Sequence, residues 1–368
     1  MTIKNVFLEG FRNLPELDIP VSSTGLRIVG SNGAGKTSFL EALSYLGQGR
    51  SFRGAPDSVV SRDSRQGFSI TAQLESLTNN PKTVSISWTY SAKTVSIDGT
   101  PLNRISELIG HVPMIILNVD TILLVRGNPE YRRRFMDAAL SQQDPNYLRT
   151  LIDYRRVLRS RNTLIQSNNY SDLNIWDTQL VSLASILIDA RTRFLTFIGE
   201  RAARLLTLLT PAKHRLDIVY RPTLPPDNPH LMLQILEKRR STDIRMGHTT
   251  VGPHRDDFSI QLNGRQAKAT ASLGESKSVA ISIVSAQADW TCERRGSPPI
   301  LLLDDLTAEL DGHSIARLAE IIPPRAQIFI TDTEITPLPP HLADLEPLYL
   351  DAGRYGPGGP SVGSTQPI

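Results

Sequence analysis

Gly30-Ser31-Asn32-Gly33-Ala34-Gly35-Lys36-Thr37 is a complete G-x-x-x-x-G-K-[ST] string, and its flanks decide how it is read. Before it, Leu26, Ile28 and Val29 make a short apolar run suited to a buried strand. After it, Phe39, Leu40, Leu43 and Leu46 recur at helical spacing. The glycines therefore fall at a strand-to-helix turn, where the backbone can curl so that successive N–H groups converge on a phosphate. The helix N-terminus adds partial positive charge. Lys36 stands where it neutralises β- and γ-oxygens, and the Thr37 hydroxyl stands where it ligates Mg²⁺. A plain glycine turn needs none of these fixed positions, so Gly30, Ser31, Asn32, Gly33, Ala34, Gly35, Lys36 and Thr37 are read as a nucleotide cradle.

Almost the whole chain away, Ile300-Leu301-Leu302-Leu303-Asp304-Asp305 reads as an apolar strand ending in two carboxylates. Asp304 would hold Mg²⁺, directly or through water, and Asp305 stands where a general base or water-orienting acid is needed. Aspartate is one methylene shorter than the glutamate of many related ATPases, which predicts slow turnover until the site closes. Ser272-Leu273-Gly274-Glu275 precedes a helical run of Val279, Ile281, Ile283 and Val284, and alone it reads as a helix cap. With Ala308-Glu309-Leu310-Asp311 directly after the acidic strand, however, the four elements fall in the order of ABC-type ATPases. The expected fold class is α/β, an ABC-type P-loop ATPase head. In that architecture Ser272, Gly274 and Glu275 of one subunit cap the γ-phosphate held by another, with Asp311 beside them. ATP then joins two copies and hydrolysis releases them.

Composition narrows the setting. The 368 residues suffice for about two domains with a substantial core. Net charge is +3, so a nucleic-acid footprint must come from local clustering rather than bulk charge. Only eight of the 40 Lys and Arg residues are lysine, a bias that suits phosphate recognition and a GC-rich genome alike. The single cysteine, Cys292, excludes an intramolecular disulfide framework and a cysteine-based zinc cluster. With no N-terminal secretory pattern and no apolar run near ~18 residues, the chain reads as cytoplasmic, with no membrane partner.

Periodicity divides the chain. Residues 1–118 are rich in alternating segments, at 67–75, 83–90 and 93–97, with Asp98-Gly99 a hairpin turn. From 119 to 243 the period is helical. Asp144-Pro145 is a cap followed by a first-turn proline, and Tyr147, Leu151, Tyr154, Leu158 and Ile165 form a stripe. After a polar link at 166–171, Trp176, Leu180, Leu183, Leu187, Ala190, Phe194 and Phe197 make a heptad seam. The expected organisation is a discontinuous head, 1–118 and 244–351, with an inserted antiparallel helical arm domain at 119–243 and a disordered tail at 352–368. Two arginine rows belong to the arm: Arg132, Arg133 and Arg134, then Arg155, Arg156, Arg159 and Arg161. They are the candidate DNA contacts, against the ordinary alternative of a solvated helix face; phosphate contacts would be salt-sensitive and blind to base sequence.

Further strings carry a family resemblance: Leu8-Glu9-Gly10-Phe11-Arg12-Asn13, Gly49-Arg50-Ser51-Phe52-Arg53, Val125-Arg126-Gly127-Asn128-Pro129, Arg132-Arg133-Arg134-Phe135-Met136-Asp137 and Thr250-Val251-Gly252-Pro253-His254-Arg255-Asp256-Asp257. With the phosphate loop and the Asp304-Asp305 strand, they make the chain resemble the RecF family of bacterial recombination mediators. The resemblance implies ATP and Mg²⁺ as cofactors, an ATP-dependent homodimer, and recognition of gapped or junction DNA with single- and double-stranded parts. It also implies RecR and RecO as partners and help for RecA in replacing single-strand-binding protein, with gap repair, replication restart and SOS induction as the output. SMC and Rad50 proteins share such a head but insert far longer coiled coils; an arm this short suits local grip on DNA rather than tethering. By the resemblance Arg12 approaches the nucleotide, while the residues alone equally allow a strand-end ion pair.

The chain departs from the family pattern in places. Val119-Asp120-Thr121-Ile122 replaces a Pro-Glu-Asp-Leu stretch, and Ser276 replaces a longer side chain. Thr331-Asp332-Thr333 offers hydroxyls where many ABC ATPases place a switch histidine. For His254-Arg255-Asp256-Asp257 the residues suggest only a turn before a strand at 258–262. Two other classes compete. A non-hydrolysing ATP-gated DNA scaffold would suit Asp305 and the missing histidine, and is separated by turnover with DNA. A metal-dependent nuclease of the OLD type needs an acidic cleavage domain, for which the about fifty residues between Asp305 and the tail are too few.

Overall fold

The structure is a computed structural model and describes residues 1–63, 66–75, 81–90, 92–305, 312–334, 337–351 and 354–356. The chain divides into two compact units, Met1–Asp120 with Ala288–Ile368, and Thr121–Gln287. The sequence reading returned the chain to the head at 244. The contacts instead group 244–287 with the helical unit, because the strand at 257–262 pairs with one at 216–221 and not with the head's sheets.

The first unit opens with β1 (Thr2–Glu9), β2 (Leu17–Pro20), β3 (Gly25–Val29), α1 (Lys36–Gln48), α2 (Asp57–Val60), β4 (Phe68–Glu75), β5 (Pro81–Thr89), β6 (Ala92–Ile97), β7 (Thr100–Pro101) and β8 (Met114–Leu117). The second carries α3 (Leu123–Arg126), α4 (Pro129–Gln143), α5 (Pro145–Gln166), α6 (Leu173–Leu209), β9 (Leu216–Arg221), α7 (Pro229–Met246), β10 (Asp257–Leu262), β11 (Arg265–Gln266), α8 (Ala267–Thr270) and the start of α9 (Leu273–Arg295). Back in the first unit come β12 (Ile300–Leu303), β13 (Ile328–Asp332), β14 (Glu346–Asp351) and β15 (Arg354–Gly356). The rest of 352–368, expected to be disordered, lies outside the described residues.

Two sheets build the first unit. One is antiparallel, in the order β2-β1-β4-β5-β6-β7; the other runs β15-β14-β3-β13-β12-β8 and is parallel except for its β14–β15 edge. Helix α1 contacts β4 and β5 of the first sheet and β13 of the second. Its side chains are buried nearly all round, as a helix between two sheets requires. Phe39, Leu40, Leu43 and Leu46 have no exposed surface, so Leu43→Ala should cost about 2–5 kcal/mol. Asp98 and Gly99 both take left-handed φ angles, 52° and 77°, as the two-residue β6–β7 hairpin demands. Because β3 and β12 are parallel and separated only by β13, their C-terminal ends share one edge of the sheet. The phosphate loop and the Asp304-Asp305 pair meet there.

In the second unit α5 and α6 lie side by side, and α6 also contacts α7 and β9. The Asp144 carboxylate caps α5 by accepting from the Asn146 N–H at 2.8 Å, with Pro145 in the first turn. The α6 seam differs from the heptad reading. Leu180, Leu187 and Phe194 are buried, but Trp176, Leu183, Ala190 and Phe197 are only half-buried, and Asp177, Ala184, Arg191 and Ile198 take inner positions. On α5, Arg161 likewise replaces an apolar residue on the buried stripe. Charges at inner positions shifted the apparent apolar period by about one residue.

Candidate functional site

The phosphate loop follows a fully buried strand and curls through Gly33 and Gly35, whose φ angles are 83° and 107°. A Cβ at Gly35 would meet only the end of the Leu14 side chain, at 2.7 Å, so it is the left-handed backbone that requires glycine there. Among the described residues, no side chain caps α1 and no acid occupies its first turn, which leaves its positive end to an anion. The buried Lys36 ammonium donates to the carbonyls of Gly30 at 2.8 Å and Ser31 at 3.1 Å, across the mouth of the loop. Asn13 braces the loop from outside: Nδ2 donates to the Gly33 carbonyl at 2.8 Å, and Oδ1 accepts from Ser38 Oγ at 3.0 Å.

The two carboxylates differ in their surroundings. Asp304 Oδ1 accepts from Thr37 Oγ1 at 3.0 Å and from Thr331 Oγ1 at 2.9 Å. Burial raises the Asp304 carboxyl above its usual range, and the Thr331 and Thr37 hydrogen bonds offset this only in part. The Asp305 N–H donates back to Thr331 Oγ1 at 2.8 Å, and its φ of 57° is one that L-residues seldom adopt. Its Oδ1 is buried with no hydrogen-bond partner among the described residues. A hydroxyl of the Thr331-Asp332-Thr333 segment thus joins both acids. Thr37 and Asp304 present hard oxygen ligands side by side, a donor set that fits Mg²⁺.

Arg12 makes the ion pair that the residues alone allowed. Nε and Nη2 donate to the Glu41 carboxylate at 3.0 and 2.8 Å, and Nη1 to the Val59 carbonyl at 3.3 Å. Glu41 is fully buried inside α1 and also accepts from Ser51 Oγ. Asp311, with Ala308-Glu309-Leu310, lies outside the described residues.

In the second unit, Ser272 and Glu275 form a capping box. The Ser272 N–H donates to Glu275 Oε2 at 2.7 Å, and the Glu275 N–H donates to Ser272 Oγ at 3.2 Å. The Ser272 N–H holds the Glu275 carboxyl below its usual range. Ser272, Leu273 and Gly274 are exposed, Leu273 at 56%, unusual for a leucine opening a long helix.

A family model described as the RecF/RecN/SMC N terminal domain matches residues 2–336. The chain is 30% identical over 366 residues to the DNA replication and repair protein RecF of Trichlorobacter lovleyi, across 96% of this chain and 98% of that one. It belongs to the RecF family. The RecF of Moorella thermoacetica is 33% identical, with 90% of each chain covered. A solved structure of the recombination mediator protein RecF with ATP, from the RecFOR pathway, superposes with a TM-score of 0.87 at 26% identity over 96% of each chain. The Smc head bound to the C-winged helix domain of ScpA, at 14% identity and a TM-score of 0.57, shares the fold.

Within this RecF-family chain the arginine rows separate by burial. Arg132 is buried and pairs through two bonds with Asp257, at 2.7 and 2.9 Å, while Arg161 has no exposed surface and binds Asp177 and Asp243. Both leave the list of DNA contacts, because they hold the unit's interior together. Arg133 is half-buried and donates to the Asp256 carbonyl. Arg134, Arg155, Arg156 and Arg159 are exposed. Arg134, Arg155 and Arg156 have carboxylate partners in Glu130, Asp137 and Asp153. Arg133, Arg134, Arg155 and Arg191 line a cleft of ≈ 190 Å³ together with Tyr154, His254 and the carboxylates Glu130 and Asp137, which offset much of its positive charge.

The Gly252-Pro253-His254-Arg255-Asp256-Asp257 run has a structural role. His254 Nδ1 lies 2.7 Å from the Tyr154 hydroxyl and Nε2 lies 3.0 Å from the Thr249 carbonyl. Burial pushes the imidazole down to about 4. Asp256 accepts from Tyr220 and from the N–H and hydroxyl of Thr223; Asp257 accepts from Arg132. The run binds α4, α5 and the β9–β10 pair to one another. Sequence reasoning missed Asn13 as the brace of the phosphate loop and Glu41 as the partner of Arg12, and it offered Thr331 only as one of the hydroxyls at the switch-histidine position. An acid inside an apolar helix was the one signal that could have marked Glu41.

Proposed function

We propose that this chain is an ATP-gated, DNA-binding recombination mediator that pairs with a second copy on ATP and is released by slow hydrolysis. The supporting observation is one chain with a complete triphosphate cradle in Lys36, Thr37, Asp304 and Asp305, and a Ser272-Leu273-Gly274 turn open to solvent. Loop N–H groups and Lys36 bind phosphate oxygens. Thr37 and Asp304 would hold Mg²⁺, which when bound neutralises charge across the phosphates. Asp305 Oδ1, without a hydrogen-bond partner among the described residues, accepts a hydrogen bond from the attacking water and orients it, while Thr331 fixes the Asp305 backbone. Ser272 and Gly274 of the second copy close the site over the γ-phosphate.

Arg134, Arg155, Arg156 and Arg159, with Arg133, hold DNA through its phosphates in the cytoplasm and leave base sequence unread. From the RecF relatives come the finer assignments: gapped or junction DNA, RecR and RecO as partners, and assistance to RecA. Sedimentation with ATP tests the pairing. Wild type should dimerise, Lys36→Ala and Ser272→Arg should stay monomeric, and Asp305→Asn should dimerise without turning over. A normal ATP-induced dimer in Lys36→Ala would remove the proposal. A wild-type dimer with no turnover on gapped DNA would leave a scaffold in its place.

A further inference from the structure

Arg126, at the end of α3, has no part in the nucleotide cradle, yet its guanidinium closes on the signature turn. Nη2 donates to the carbonyl of Ala271, the residue before Ser272, at 2.8 Å, and Nε donates to Ser276 Oγ at 3.0 Å. Ser276 is fully buried, and its hydroxyl donates in turn to the Ser272 carbonyl at 2.8 Å. Both ends of the turn, Ala271 and Ser276, are thereby fixed to one side chain. The next residue is anchored as well: the Gly127 carbonyl accepts from Arg132 Nη1 and Lys268 Nζ, each at 3.2 Å, and Arg132 also grips Asp257 at the start of β10. All these residues belong to the second unit.

The Ser272–Glu275 capping box sets the shape of the first turn of α9 but not its direction. Direction comes from outside the helix, through Arg126. Ser276 is the hydroxyl that receives it. We infer that Arg126 is a positioning residue that holds Ser272 and Gly274 in the orientation a second copy's nucleotide site requires. This rests on the proposal that two chains share each site.

Arg126→Ala should bind ATP within about twofold of wild type, since its phosphate loop is untouched, while its ATP-dependent dimer weakens about ten- to a hundredfold. Ser276→Ala, which keeps the charge and removes the relay, should shift the dimer in the same direction by less. A direct Arg126 contact with nucleotide would spare Ser276→Ala, and that result would overturn the positioning role. Mixing supplies the sharper test. Arg126→Ala combined with Lys36→Ala restores one complete site, from the loop of the first and the signature of the second. ATP turnover of the mixture should exceed that of either variant alone by about tenfold. Ser272→Arg mixed with Lys36→Ala is the control. If that control is rescued and Arg126→Ala is not, Arg126 acts on its own chain and the inference fails. If the control is not rescued, sharing of the site itself is wrong.

Discussion

Each unit buries carboxylates; Glu41 in the first has both oxygens filled, by Arg12 and Ser51, and the exception is Asp305. In the second unit Asp177, Asp243 and Asp256 are buried, and both oxygens of each accept bonds, from Arg161, Arg240, Thr250, Tyr220 and Thr223. In the first unit Asp305 keeps a buried oxygen with no partner among the described residues, on a backbone held at an uncommon φ by Thr331. A buried acid with every oxygen occupied holds structure together. One with a free oxygen is available to a water or substrate. Burial, rather than occupancy, sorts the arginines: Arg161 and Arg191 lie inside, Arg161 with an Nη2 that has no partner among the described residues, while Arg156 and Arg159 lie outside.

The largest effect should come from the closed cluster. Arg161→Ala leaves Asp177 and Asp243 buried without their cation and should lower unfolding free energy by about 3–5 kcal/mol, read by urea titration. A loss under about 1 kcal/mol would mean that Arg240 and water replace it and that the contrast is overdrawn. Next comes the imidazole. His254 titrates near 6.5 when unfolded but about 4 in the fold, so protonation favours the unfolded chain. Its contribution is complete above pH 6.5 and should fall by about 3 kcal/mol as the pH drops toward 4. Comparing the acid limbs of wild type and His254→Gln isolates that slope; superimposable limbs would count against a buried neutral histidine.

The smallest effects belong to the exposed rows. Arg159→Ala should leave stability within about 0.5 kcal/mol of wild type. If it touches phosphate, it should reduce the salt dependence of DNA binding by about one counterion, equally across sequences. An unchanged salt slope in both Arg156→Ala and Arg159→Ala would return this face to ordinary solvation.

The cradle was legible in the sequence because its chemistry lies in backbone and fixed spacing: glycines at two left-handed turns, then Lys36 and Thr37 on the next helix. Asp304 and Asp305 were legible as the end of an apolar strand, and Asp144-Pro145 as a helix start. The helical unit was harder. Asp177, Arg161 and Arg191 occupy inner positions that a hydrophobic period assigns to apolar residues, so the α6 seam and two of the arginines were misplaced. Nothing local marks a charge whose partner is Asp243, 82 residues further on. The role of 244–287 was hidden for the same reason, since β10 finds β9 only in three dimensions.

Fluorescence anisotropy of a labelled gapped duplex, with wild type and Lys36→Ala, with and without ATP and at two salt concentrations, tests the central claim most directly. ATP gating predicts tight, salt-sensitive binding by wild type with ATP alone. Equal binding by both proteins, with or without nucleotide, would contradict it.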